Sequence, residues 1–117
     1  MELTKQVTSL ELSKRLKELG VKQESLWVWY RTQISHRPFD LKLNRGDGSS
    51  EYCLAATTVA ELGEMLPNAQ SYWKDDENRA RGWVCQCDGN YVYADTEADA
   101  RAKMLIYLLE NKLITLQ

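Results

Sequence analysis

Between Thr96 and Leu116 the chain carries the pattern that most restricts its fold. Ala98, Ala102, Leu105, Leu109 and Leu113 recur at the helical period, Ile106 and Leu108 widen the stripe, and Glu97, Arg101, Lys103, Glu110 and Lys112 fall mainly elsewhere. Thr96 and Asp99 have the spacing of a capping box, in which hydroxyl and carboxylate satisfy backbone donors of the first turn. The segment reads as a core helix with Leu105 and Leu109 buried. Such a helix needs a layer to pack against, and it specifies no chemistry.

The same devices recur upstream. Thr8 and Glu11 are spaced as a second capping box, with Val7 and Leu12 at the positions of a hydrophobic staple. Leu12, Leu16 and Leu19 then line one face, and Gly20 followed by Val21 suits a Schellman ending, so a helix is predicted over Ser9 to Leu19. From Ser25 to Thr32 the period changes to two: Leu26, Val28 and Tyr30 alternate with Trp27, Trp29 and Arg31. Both faces of this strand are apolar, so it is either central or turns its tryptophans toward a partner.

Pro38 interrupts the ladder after Ser35-His36-Arg37, and a hairpin is expected between Phe39–Leu43 and Glu51–Ala55 around a polar loop. Thr58 and Glu61 form a third capping box for a helix from Val59 to Leu66, stopped by Pro67. Tyr72 and Trp73 begin a further short strand. Gly82–Cys87 and Tyr91–Ala94 bracket Asp88-Gly89, a strong hairpin signal, and deliver the chain to Thr96. The expected fold is α+β: an antiparallel sheet of about five strands with three helices, in the order α-β-ββ-α-ββ-α.

At 117 residues, without repeats, linkers or low-complexity tracts, residues 1–117 are expected to form one domain. Three cysteines without a secretory leader read as reduced thiols in a cytoplasm, and the longest apolar run, Met104 to Leu109, is far too short for a membrane span. Net charge is −2, but residues 1–45 carry nine Lys and Arg against five Asp and Glu, and residues 46–117 carry six against twelve. The two stretches are thus +4 and −6. Indiscriminate binding to a phosphate backbone is disfavoured, and a nucleic-acid factor using the basic amino-terminal half is the alternative reading.

Three strings carry a resemblance: Glu11-Leu12-Ser13-Lys14-Arg15-Leu16-Lys17-Glu18-Leu19-Gly20-Val21 followed by Trp27 and Trp29; Ala55 through Pro67; and Leu105-Ile106-Tyr107-Leu108-Leu109-Glu110-Asn111-Lys112. Together they resemble small uncharacterised proteins carried by phages, prophages and some bacterial genomes. The resemblance spans nearly the whole chain and implies a mobile-element context. It brings no activity, cofactor or catalytic residue.

Chemistry-bearing constellations are sparse. Cys85 and Cys87 share one strand face and, with Cys53 and His36, match the count of a zinc site, but cysteines at i and i+2 on a flat strand diverge, so no metal is expected. His36 is the sole histidine and no nucleophile elbow accompanies it. Asp75-Asp76-Glu77 reads as a solvated loop, and Gly46-Asp47-Gly48 lacks the remainder of a phosphate-binding loop. No catalytic residue and no cofactor are expected. What stands out is four tryptophans and six tyrosines against one phenylalanine, a mixture suited to surfaces that alternate between wet and covered. The expectation is therefore a non-enzymatic module that binds another protein, or itself, through Trp27, Trp29 and Arg31 and the adjoining His36 and Arg37.

Overall fold

The computed structural model describes residues 2–31, 39–43, 53–75 and 82–116; the side chains of Arg31 and Cys53 fall outside that description. The elements are α1 (Leu10–Glu18), β1 (Trp27–Arg31), β2 (Phe39–Leu43), β3 (Cys53–Ala55), α2 (Val59–Met65), β4 (Gln70–Lys74), β5 (Gly82–Cys87), β6 (Asn90–Ala94) and α3 (Glu97–Glu110), preceded by a short 3₁₀ turn, Leu3–Lys5. The fold is α+β with antiparallel pairing throughout. The strands do not, however, form one sheet. They form two three-stranded sheets, ordered β2-β1-β3 and β4-β5-β6.

This division corrects two expectations. Phe39–Leu43 and the strand ending at Ala55 do not pair with each other; both pair with β1, which lies between them, with Trp29 opposite Leu41 on one side and Leu54 on the other. As the middle strand, β1 has the backbone groups of both its edges paired, to β2 on one side and β3 on the other. On its far edge β3 is closed, since Ala55 N–H donates to Gln23 Oε1 at 2.8 Å. The next strand, β4, pairs instead with β5, and β5 forms the expected tight hairpin with β6 through Asp88 and Gly89, both at positive φ.

Helix ends follow local chemistry, with two changes of partner. At the close of α1, Val21 N–H donates to Leu16 O and Gly20 N–H to Lys17 O, with Gly20 at φ 90°, the Schellman ending expected there. At its start the cap is Ser9, not Thr8: Ser9 Oγ accepts from Leu12 N–H. Thr8 is drawn away because its N–H donates to Thr57 O, and its hydroxyl accepts from Thr57 N–H and lies 2.6 Å from Ser13 Oγ. Thr58 and Glu61 form the complete capping box on α2. On α3 the box is half made. Thr96 Oγ1 accepts from Asp99 N–H, but the Asp99 carboxylate reaches across to Ser9 N–H at 2.8 Å and so joins the starts of α3 and α1.

Helix α3 is the centre of the packing. It lies against β5 and β6 on one side and α1 and α2 on the other. Burial accordingly extends round the helix beyond the expected stripe, to Ala100 and Met104 as well as Ala98, Ala102, Leu105, Ile106 and Leu108. Leu109 is half-buried rather than buried, and Leu113 is exposed. The helix ends at Glu110, short of the predicted span, in a turn that places Lys112 at φ 55° and returns Leu113 N–H to Leu108 O. Among the described residues no helix is long and apolar enough to cross a membrane.

Burial raises the pKa of Asp99 above its ordinary value of 3.8, opposed by the Ser9 hydrogen bond and Lys103. In the folded chain this carboxyl therefore holds its proton at a pH where the unfolded chain has lost it. The stability it contributes is present at low pH and is lost as pH rises through the folded-state value. Asp99→Asn keeps an oxygen acceptor for Ser9 and removes the charge. It is expected to match or exceed the parent at pH 7, the gap closing toward about pH 4, in denaturant unfolding across that range. A variant less stable than the parent by more than about 1 kcal/mol at pH 7 would show that the charge itself stabilises the junction.

Candidate interaction surface

On β1, alternation and register place Trp27 and Trp29 on one face with Leu43, Leu41 and Leu54 of the neighbouring strands, and Arg31 pairs with Phe39 in the register. The chain before α1 and Lys14 of α1 reach this face. The indole Nε1–H of Trp29 donates to Thr8 O at 2.9 Å, Leu54 beside it is buried, and Lys14 of α1 stands 5.5 Å from the Phe39 ring centroid. The cause lies in the chain before α1. Thr8 zips onto Thr57 just beyond β3, which carries α1 over the tryptophan side. Trp27 and Trp29 are half-buried, while Val28, on the opposite face, is fully buried. His36 and Arg37 lie outside the described residues, as does the Arg31 side chain.

Since an indole N–H needs a partner when covered, Trp29→Phe, which removes that donor together with the five-membered ring, is expected to cost about 1 to 2 kcal/mol in denaturant unfolding. A change below about 0.3 kcal/mol would mean that the bond to Thr8 does not help fix the amino-terminal segment.

Among the described residues, α3 packs on one face of the second sheet. Trp83, Cys85 and Cys87 of β5, with Val92 and Ala94 of β6, pack under α3. Trp73 of β4 shares that side, its ring edge-on to Trp83 with centroids 6.0 Å apart, and is largely exposed at the sheet edge. On the opposite face the cross-strand rows are Gln70–Gln86–Tyr91, Tyr72–Val84–Tyr93 and Lys74–Gly82. No described helix or strand packs there. Val84 is nonetheless 0% exposed, between Tyr72 at 40% and Tyr93 at 51%, and Tyr91 is 54% exposed. This tyrosine face is the one sequence reasoning missed. The signal was present: in Tyr91-Val92-Tyr93-Ala94, every second residue is a tyrosine and those between are smaller and apolar.

Beneath α3 lies a polar cluster. Ser71 Oγ donates to Glu97 Oε2, Arg101 Nε donates to Ser71 Oγ at 3.0 Å, and Arg101 Nη2 is 3.6 Å from Glu97 Oε2. Gly63 of α2 makes room for this arginine, because a Cβ there would stand 2.5 Å from Nη1. Cys85 pairs with Ser71 across the sheet, and burial pushes its thiol up to about 11, with Arg101 opposing. Cys87 is raised by burial and by Asp88, and its thiol donates to Pro67 O at 3.0 Å. Both thiols are protonated and packed at neutral pH, which suits small core residues and not nucleophiles. Among the described residues no three His, Cys, Asp or Glu side chains converge; Cys53 and His36 of the candidate zinc set lie outside them.

A cleft of about 300 Å³ is lined by Gly20 and Lys22 beyond α1, Glu64 and Met65 of α2, and Ile114, Thr115 and Leu116 of the tail. Its charged groups, Lys22 and Glu64, are exposed, so it offers no desolvated polar anchor for a small molecule. The charge segregation along the sequence is partly cancelled in space. Arg15 meets Glu18 at 3.1 Å and Glu110 at 3.6 Å, and Lys42 lies over the Tyr30 ring at 4.5 Å. No protein-family model matches this chain, and neither a curated protein nor a solved structure is significantly similar to it.

Proposed function

We propose that this chain is a non-enzymatic accessory module that acts by binding another protein. The observation that carries the reading is the open tyrosine face of the second sheet, where Tyr72, Tyr91 and Tyr93 present large, rigid, amphipathic rings that no described element covers. The protonated, packed state of Cys85 and Cys87 supports a role without covalent catalysis by these thiols. The resemblance to phage and prophage proteins supports a mobile-element setting, and the free thiols of Cys85 and Cys87 support a cytoplasmic one. The surface expected from the sequence, Trp27, Trp29 and Arg31 with His36 and Arg37, is the rival to the tyrosine face within this reading, and the Trp27→Ala/Arg37→Ala variant tests it.

The competing reading, nucleic-acid binding by the basic amino-terminal half, is disfavoured by the engagement of Arg15 with two carboxylates and of Lys14 and Lys42 with aromatic rings. The deciding experiment is in-cell crosslinking and affinity capture with the wild-type chain, a Tyr91→Ala/Tyr93→Ala variant and a Trp27→Ala/Arg37→Ala variant. Loss of a specific partner with the tyrosine variant alone is the expected result. Retention of every partner by the tyrosine variant, or salt-dependent capture of nucleic acid by all three chains, would overturn it.

A further inference from the structure

We infer that Lys103 is a guard on the outer edge of β6, where it keeps the second sheet from pairing edge to edge with a second copy of this chain. The edge of the strand is at issue and not its tyrosine face, so this role is independent of the interaction reading. An edge strand presents N–H and C=O groups with which a further strand can pair, and folds protect such edges with charged side chains, proline or short length. Three of the four edge strands here carry protection of that kind. β2 contains Asp40 and Lys42, β4 ends at Lys74, and β3 is three residues long with Ala55 N–H taken by Gln23. In its own residues β6 has none. Asn90-Tyr91-Val92-Tyr93-Ala94 is uncharged, lacks proline and is rich in strand formers, and no described strand lies beyond it.

The protection comes instead from α3. Lys103 Nζ donates to Tyr93 O at 3.0 Å. That carbonyl therefore faces away from β5. By alternation so do the backbone groups of Tyr91, while Asn90, Val92 and Ala94 direct theirs to β5. Lys103 is exposed, but Ala102 and Met104 on either side of it are fully buried, so packing of the helix fixes the lysine stem beside the edge. Gln23 acts alike on β3 with the opposite polarity: it supplies an acceptor to an outward N–H, as Lys103 supplies a donor to an outward carbonyl.

The atom that Lys103 occupies is the one a second copy needs. Outward residues on both sides of Val92 make the edge self-complementary. In an antiparallel two-fold pair, Tyr91 of one copy lies opposite Tyr93 of the other and donates its N–H to Tyr93 O. The helices do not prevent this. Since α3 lies over β5 and β6 alike, strands about 4.8 Å apart would set the two copies of α3 about 9.6 Å from each other, an ordinary helix packing distance. What stands in the way is an ammonium at each of the two carbonyls. Pairing takes both charges from their acceptors and brings them to a seam where β6 offers no counter-charge.

Sedimentation equilibrium of the wild-type chain, Lys103→Ala and Lys103→Arg, with amide hydrogen exchange read by NMR, tests this role. The wild-type chain is expected to be monomeric, with the Tyr91 and Tyr93 amides exchanging faster than that of Val92, which belongs to the ladder with β5. Lys103→Ala, at an exposed helix position where alanine is favoured, should strengthen self-association by about tenfold or more and protect those two amides. Lys103→Arg keeps charge and donor and should behave as the wild type. An alanine variant no more associated than the wild type, association that leaves Tyr91 and Tyr93 unprotected, or an arginine variant that associates as alanine does would overturn the inference. So would slow exchange at Tyr91 and Tyr93 in the wild-type chain, a result that requires no variant to fold.

Discussion

Leu105→Ala is expected to destabilise the chain by about 2 to 5 kcal/mol, the largest loss from any single truncation considered for this fold. Leu105 is 0% exposed and belongs to the cluster that joins Leu16 of α1, Leu62 of α2, Leu66 just beyond it, and Cys85 and Cys87 of β5. Its removal opens a cavity where three layers meet, and the site has little freedom to collapse. Relaxation of α3 toward the second sheet would draw it away from α1 and α2, and the alanines at 98, 100 and 102 already bring its neighbours close. Leu109→Ala, at a half-buried position one turn later, should cost distinctly less. Denaturant unfolding with an unchanged m-value is the measurement. Equal losses at the two positions would mean that burial round α3 is more uniform than the packing indicates.

The contrast between those two leucines shows what could be read from the sequence. Devices whose partners lie within a few residues were legible because the chemistry is local: the Thr58–Glu61 box, the Gly20 ending and the Asp88-Gly89 turn all occur where the residue types demanded them. Devices open to a distant competitor were not. Thr8 has cap chemistry equal to that of Ser9, but Thr57, 49 residues away, claims its hydroxyl, and the cap moves one residue along. Asp99 likewise serves Ser9 in place of its own helix. Strand order failed for the same reason: alternation gives Phe39–Leu43 and the Ala55 strand a face each but not a neighbour, and both are taken by β1.

The interaction surface follows this rule too. Period-two alternation correctly separates Trp27 and Trp29 from Val28 and Tyr30, yet it does not say which side a helix will cover. That was decided by the Val7–Thr8 pairing with Thr57–Thr58, a long-range contact without a local mark. For β6 the same alternation was more informative, because small apolar residues opposite tyrosines distinguish a face that packs from one that can stay open.

Glu61→Ala is the second substitution expected to have a large effect, about 3 kcal/mol, although the residue is neither apolar nor central. Its carboxylate accepts from Thr58 N–H at 2.8 Å as the returning half of the α2 capping box. The same group accepts from Ser25 Oγ at 2.7 Å and from Leu26 N–H at 3.2 Å, which ties the segment entering β1 to the start of α2. Ser25 is buried and its hydroxyl has Ala56 O at 3.1 Å as a second acceptor, so alanine at 61 takes the charged acceptor from that hydroxyl and leaves the two backbone donors without theirs. Losing a cap costs about 1 kcal/mol, and leaving a donor of a charged acceptor unsatisfied costs about 1 to 3. Glu61→Gln keeps one oxygen acceptor on a chain of the same length and should lose about half as much, since the amide end cannot accept from the second set of donors. Thermal or denaturant unfolding of the two variants beside Thr58→Ala separates the contributions. If Glu61→Ala cost no more than Thr58→Ala, Glu61 would be a cap alone and the link from α2 to β1 would add nothing to stability.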